Sequence, residues 1–283
     1  MLALLCLGPA CSAKADLQPS EQLPLWDGPA PGAPANPGPE TTGQGGRIYN
    51  ISKPMLDVYL PAPGKADGRA IIIFGGGGYS HLMPSSAGAV KAEHFLPEGI
   101  TVFSLKYRLT PPSTDVLRDA LADAKRAVRL VRSRATGWHL VPARIGVIGF
   151  SAGSNLALNL ACTADAGDST ATDPVERFSS RPDFVGLFCT WPYHQKIGQF
   201  KITAAVPPAF VAHARDDKTA PFSFSEQITA AWQHAGVPVH FEPYSTGGHK
   251  AFSLPDCTAK DWPDKLLAWL KTEPFSPGKK GLK

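Results

Sequence analysis

A chain of 283 residues, 43% hydrophobic and 18% charged, describes a globular protein with a substantial core, long enough for one large α/β domain or two small ones. A formal net charge of +4, with lysines and arginines scattered along the chain and no nucleic-acid motif, argues against a nucleic-acid partner. No apolar run is long enough to span a bilayer as a helix.

The N-terminus reads as a targeting segment. Residues 2–7 form a short apolar run, and Ala13-Lys14-Ala15 fits a small-x-small cleavage site before Asp16, although the usual charged leader is missing. Residues 1–15 are therefore expected to be a signal peptide, truncated at its start, and the mature protein to be secreted or periplasmic. Cys11 is a poor match to a lipoprotein anchor because Pro9 falls inside the signal. Once Cys6 and Cys11 have left with the signal, Cys162, Cys189 and Cys257 remain. Export permits one disulfide among them, and the sequence does not choose the pair. Cys189, in an apolar run, reads as buried and inert.

Residues 16–46 are rich in proline and glycine, which no helix or central strand tolerates. They are expected to form an arm, pinned to the body by Leu25 and Trp26. From Arg47 the pattern changes. Residues 55–60 alternate as a strand, while 70–74 and 101–105 are continuous apolar runs expected of strands buried on both faces. The spacing of Val116, Leu117, Leu121, Ala124, Val128 and Val131 predicts a helix over 114–135, capped by Ser113 or Thr114. The basic cluster on it, Arg126, Arg129, Arg132 and Arg134, reads as a solvated face. A strand over 144–148 and a helix to about residue 162 follow, then a polar loop over 165–182. Strands over 184–189 and 209–212, a helix over 222–235, a strand over 237–244 and a helix over 261–271 complete the pattern. Buried strands alternating with helices predict a mostly parallel sheet covered on both faces, in a domain spanning 47–273 with a flexible tail at 274–283.

Gly149-Phe150-Ser151-Ala152-Gly153 stands where the strand at 144–148 must turn into the following helix. In that setting Gly-x-Ser-x-Gly is a candidate nucleophile elbow: the glycines allow a strained turn, and the hydroxyl is held at a helix N-terminus. A serine nucleophile needs a general base and a group to orient that base. The expected chain order is serine, acid, histidine, with the last two beyond late strands. His249, after Gly247-Gly248 and the strand at 237–244, is the favoured base among eight histidines. Asp216 and Asp217 follow the strand at 209–212. Asp217 is the preferred acid and Asp216 the alternative, while His213 reads as a structural hydrogen-bonding residue. The amide of Ala152 and those of Gly76 and Gly77, in the glycine run after the strand at 70–74, are the candidate oxyanion donors. That run lacks the register of a phosphate loop. His81, His94, His139, His194, His234 and His240 show no metal-ligand spacing, so a metal is not expected.

With these pieces in place the chain resembles the α/β hydrolases, and within them the acetyl xylan esterase-like carbohydrate esterases. The resemblance runs from about Leu25 to Leu270. It is carried by Leu25-Trp26-Asp27-Gly28, Gly76-Gly77-Gly78-Tyr79-Ser80-His81-Leu82, Leu105-Lys106-Tyr107-Arg108-Leu109, the run 143–153 and Gly247-Gly248-His249. Gly75 departs from the proline or histidine common in relatives, which implies a more mobile loop, and Ser154 stands where glycine is common. The resemblance implies an α/β-hydrolase fold and an acyl-serine mechanism without a cofactor. It also implies an acetylated polysaccharide or oligosaccharide as substrate. The stretch between the strands at 184–189 and 209–212 is too short for a large cap domain, which argues against a lipase for long acyl chains. Trp191 and Tyr193, just past a strand end, are candidate sugar-stacking residues with Tyr79. A small peptidase or amidase of the same fold, a general short-chain carboxylesterase and a non-catalytic binding module are the competing readings.

Overall fold

The computed structural model describes residues 17–84, 88–253 and 257–272. The signal-peptide and Cys11 expectations, like the tail at 274–283, fall outside these residues.

Among the described residues the main sheet has eight strands. They are β1 (Glu21–Pro24), β4 (Met55–Tyr59), β5 (Ala70–Phe74), β6 (Thr101–Lys106), β7 (Ile145–Phe150), β8 (Val185–Phe188), β9 (Ala209–Ala214) and β10 (Val239–Tyr244). Their spatial order is β1-β4-β6-β5-β7-β8-β9-β10. From β6 to β10 every pairing is parallel, and β4 and β1 add antiparallel at one edge. A separate two-stranded ribbon joins β2 (Thr41–Thr42) and β3 (Ile48–Tyr49). Both ends of the large sheet carry proline, Pro24 in β1 and Pro243 in β10, as edge strands permit.

Residues alternate between two cores along each central strand. Ile72 and Phe74 face one side, with α2 (Val116–Ser133), α3 (Ala152–Thr163) and α4 (Phe222–His234). Ile71 and Ile73 face the other, with α1 (Ala89–Phe95) and α5 (Trp262–Leu270). That doubly covered parallel sheet is the predicted fold class, and no large cap is evident among the described residues.

The proline-rich arm contributes an edge strand, β1 pairing with β4, and Leu23 and Leu25 are buried. Three expectations are corrected. Helix α2 is capped by the Asp115 side chain, which accepts from the Arg118 amide at 3.2 Å; Ser113 instead donates to Asp119. The basic cluster on α2 is largely a docking face. Arg126 donates to the Leu25 carbonyl and pairs with Asp173 and Glu176. Arg129 pairs with Asp165 and Glu176, and Arg132 with Asp183. Together they tie the arm and the 165–183 loop to the body, and only Arg134 is exposed. Finally, Cys162, Cys189 and Cys257 are all thiols, with no disulfide among them.

The Leu105–Leu109 segment has a related role. Arg108 is almost fully buried and bonds the Asp123 carboxylate through Nε and Nη2, both at 2.9 Å. It also donates to the carbonyls of Pro31 and Asp119. Trp26 completes the cluster by donating to Asp123 at 3.3 Å.

Candidate active site

The loops that follow β5, β7, β8, β9 and β10 converge at one edge of the sheet. Between β7 and α3 the chain reverses at Ser151, whose backbone is held at φ 55° and ψ −117°. A β-carbon on Gly149 would lie 2.2 Å from the Gly153 carbonyl oxygen, and one on Gly153 would lie 2.1 Å from that of Phe74. Both approaches are closer than any side chain allows, so the turn requires glycine at both positions. Ser154 is accommodated by a 2.7 Å hydroxyl contact with Thr190.

The Ser151 hydroxyl lies 2.7 Å from His249 Nε2, and His249 Nδ1 lies 2.7 Å from Asp217 Oδ2. Ionised Asp217 can only accept, so His249 carries its proton on Nδ1 and Nε2 is free to accept from serine. Asp217 is richly solvated by protein. Oδ2 also accepts from His213 Nε2 at 3.0 Å, and Oδ1 accepts from the amides of Thr219 and Ala220 at 2.8 and 2.9 Å. Burial alone would raise this carboxyl; bonds from His213, His249 and Ala220 outweigh it and hold Asp217 well below the usual carboxylate range. His213 is fully buried, with Ser225 2.7 Å from its other ring nitrogen. Both ring nitrogens of His213 are therefore partnered, Nε2 by Asp217 and Nδ1 by Ser225.

Asp216 points elsewhere. Its carboxylate accepts from the Gly248 amide at 2.7 Å and the Gly247 amide at 3.2 Å. Adjacent aspartates thus divide the work: Asp217 orients the imidazole, and Asp216 holds the backbone turn that presents it. Side chains of successive residues diverge at the end of β9, which explains the division after the fact.

The glycine run after β5 curls back on itself, with the Gly76 carbonyl accepting from Met83 and the Gly77 carbonyl from Ser80 and His81. A β-carbon at Gly77 would lie 1.9 Å from the His81 carbonyl oxygen. Gly75, expected to loosen this loop, is anchored by the Tyr107 hydroxyl at 2.7 Å. Gly76 and Gly77 border the cavity beside Ser151; Ala152, at the first turn of α3, is buried just beneath.

The cavity encloses about 480 Å³. Phe150, Cys189, Trp191 and Phe252 give it apolar walls, while His81, Thr219, Lys250 and Ser253 supply polar groups. Of the expected sugar-contacting residues, Trp191 lines it. Tyr79 does not: it is fully buried, donates to Asn155 at 2.8 Å and supports the loop from below. Tyr193 lies behind Trp191, its ring centroid 5.2 Å away and 4.8 Å from that of Tyr79. The sequence reading missed Phe252, although its position three residues after His249 was a usable signal. Among the described residues no group of histidine, cysteine, aspartate and glutamate could hold a metal ion, and no helix is long and apolar enough to cross a membrane.

Known proteins resemble this chain in sequence and in fold. The family described as BD-FAE matches residues 56–183. An acetylxylan esterase of Xylanibacter ruminicola is 29% identical over 247 residues, covering 80% of this chain and 50% of its own. The chain therefore spans about half the length of that relative. Among solved structures, an acetyl ester-xyloside bifunctional hydrolase from Caldicellulosiruptor lactoaceticus superposes with a TM-score of 0.76 at 28% identity, covering 93% of this chain and 99% of that one. A thermophilic esterase of Thermogutta terrifontis, solved with butyrate bound, superposes with a TM-score of 0.67 at 25% identity, over 82% of this chain and 93% of that one. Its parallel sheet, its glycine-flanked serine turn and these structural relatives together place the chain in the α/β-hydrolase superfamily.

Proposed function

We propose that this protein is a serine esterase that removes short acyl groups, foremost acetyl, from carbohydrate esters such as acetylated xylan. The observation that carries the reading is the unbroken chain from Ser151 through His249 to Asp217, opening onto a cavity over which the described residues place no large cap. Ser151 Oγ attacks the ester carbonyl as His249 Nε2 takes its proton, and ionised Asp217 stabilises the imidazolium that forms. The amides of Ala152, Gly76 and Gly77 are assigned to the oxyanion, at a helix N-terminus whose partial charge favours it. His249 then returns the proton to the departing sugar alkoxide, leaving an acyl-serine. Water activated by the same histidine releases the acid. Trp191, with Tyr193 behind it, is assigned to the sugar.

The names of its relatives support the ester and the sugar: one is an acetylxylan esterase and one an acetyl ester-xyloside hydrolase. Secretion or periplasmic export, and the division into a signal at 1–15, an arm at 16–46, a catalytic domain at 47–273 and a tail at 274–283, belong to the same proposal. An extracellular enzyme meets its polymer where that polymer lies.

The test is an acyl chain-length series of aryl esters run beside acetate release from acetylated xylan. We expect acetate to be the best aryl ester and acetate to be released from xylan. A preference for long acyl chains, or amide cleavage faster than acetyl ester cleavage, overturns the assignment. Short-chain activity without release from xylan reduces it to a general carboxylesterase.

A further inference from the structure

Lys91, on α1, has no exposed surface. Its ammonium donates to the backbone carbonyl of Phe252. It also lies 4.2 Å from the centroid of the Phe150 ring and 4.8 Å from that of Trp262. A buried cation is expensive to desolvate, and ring faces with one carbonyl compensate it less fully than a carboxylate does. The contacts it makes are adjacent to the catalytic residues. Phe150 directly precedes Ser151, and Phe252 follows His249 by three residues and forms a wall of the cavity. The His249 turn itself is a single turn of 3₁₀ helix, Gly248–Lys250, too short to fix its own geometry. Asp216 holds the start of that segment through two amides, and Lys91 holds the chain at Phe252, two residues beyond its end.

We propose that Lys91 is a positioning residue: its buried ammonium clamps the Phe252 carbonyl against the Phe150 and Trp262 rings and so seats both the His249 turn and the Phe252 wall. The proposal rests on the esterase reading above. Burial pushes the Lys91 amine down to about 7 from 10.5, opposed by the neighbouring thiols of Cys257 and Cys189. Cys189 follows β8 and Cys257 precedes α5; β7 and α5 face the amine with the untitratable rings of Phe150 and Trp262. The clamp is therefore a charge-assisted bond at acid pH and a weaker neutral one at alkaline pH. Between about pH 7 and 10.5 the unfolded chain binds a proton that the folded chain does not, so the lysine makes stability rise with pH across that window.

Lys91→Met puts an unbranched apolar side chain of similar length into an apolar cluster. We expect this variant to fold and to lose the wild-type gain in melting temperature between about pH 7 and 10.5. Its kcat on an aryl acetate should fall about tenfold, and its kcat/KM profile should lack an ionisation near neutrality that the wild type shows. Lys91→Gln retains a neutral donor, so part of kcat should return without that ionisation; it carries the same readouts if the methionine variant does not fold. Altered melting with wild-type kcat and pH profile in these variants overturns the proposal, since a structural role alone would give that result, and leaves the esterase reading standing. Wild-type activity that survives Ser151→Ala instead overturns the esterase reading, and the proposal falls with it.

Discussion

Arg108 and Lys91 are both buried cations, and the fold treats them in opposite ways. Arg108, beside α2, faces a carboxylate that matches its guanidinium, and its remaining donors reach two carbonyls. None of these partners borders the cavity. Lys91, on the other face of the sheet, has ring faces and a single carbonyl, and its contacts lead directly to the catalytic residues. The first region is satisfied and builds the scaffold. The second tolerates an uncomfortable charge where geometry has to be held around a reaction. The lesson is that burial of charge does not by itself identify function; the quality of the pairing, and what lies next to it, does.

Substitutions that separate rate from stability put this contrast at risk. Ser151→Ala should reduce esterase turnover by about 10⁴-fold or more while the melting temperature stays near that of the wild type. Residual activity on a short aryl ester within tenfold of wild type would remove Ser151 from the chemistry. Next, Asp217→Asn should cost about 10³-fold in kcat, and Asp216→Ala only about tenfold, because the first disorients the imidazole and the second only loosens its turn. If steady-state kinetics show the reverse order, the division of labour between the two aspartates is wrong. Arg108→Met should leave kcat per folded molecule unchanged and lower unfolding free energy by about 3–5 kcal/mol, since it strands the Asp123 carboxylate without its partner. Denaturant unfolding measures this. A drop in kcat at full folding would show that the two regions are coupled after all.

The elbow was legible because its information is local: five residues, a strand before them and a helix after. The order of serine, acid and histidine was legible because each follows a recognisable β-strand, mainly apolar before Ser151 and the two aspartates and more polar before His249. Asp216 and Asp217 could only be ranked, since adjacent residues share every sequence signal and differ only in which way the chain turns after β9. The arginines of α2 have helical spacing, but periodicity cannot distinguish a face turned to water from one covered by a loop arriving from residues 165–183. Strand β1 was hidden by its proline and by a partner more than thirty residues away in sequence. Helix α1 is only seven residues long. Nothing in its pattern marks Lys91 as buried, because lysine on a short helix ordinarily faces water. What escaped the sequence was therefore mostly a matter of which distant segment covers which face.

The strained backbone of Ser151 has a practical consequence. Any residue with a β-carbon at this position must adopt the same left-handed conformation, whether or not it can react. Alanine therefore disarms the turn without relaxing it, whereas glycine would release the tension and let the loop drift. The alanine variant is thus a cocked but unloaded trigger, suited to capturing an intact acetylated sugar in the cavity and revealing which hydroxyl carries the ester.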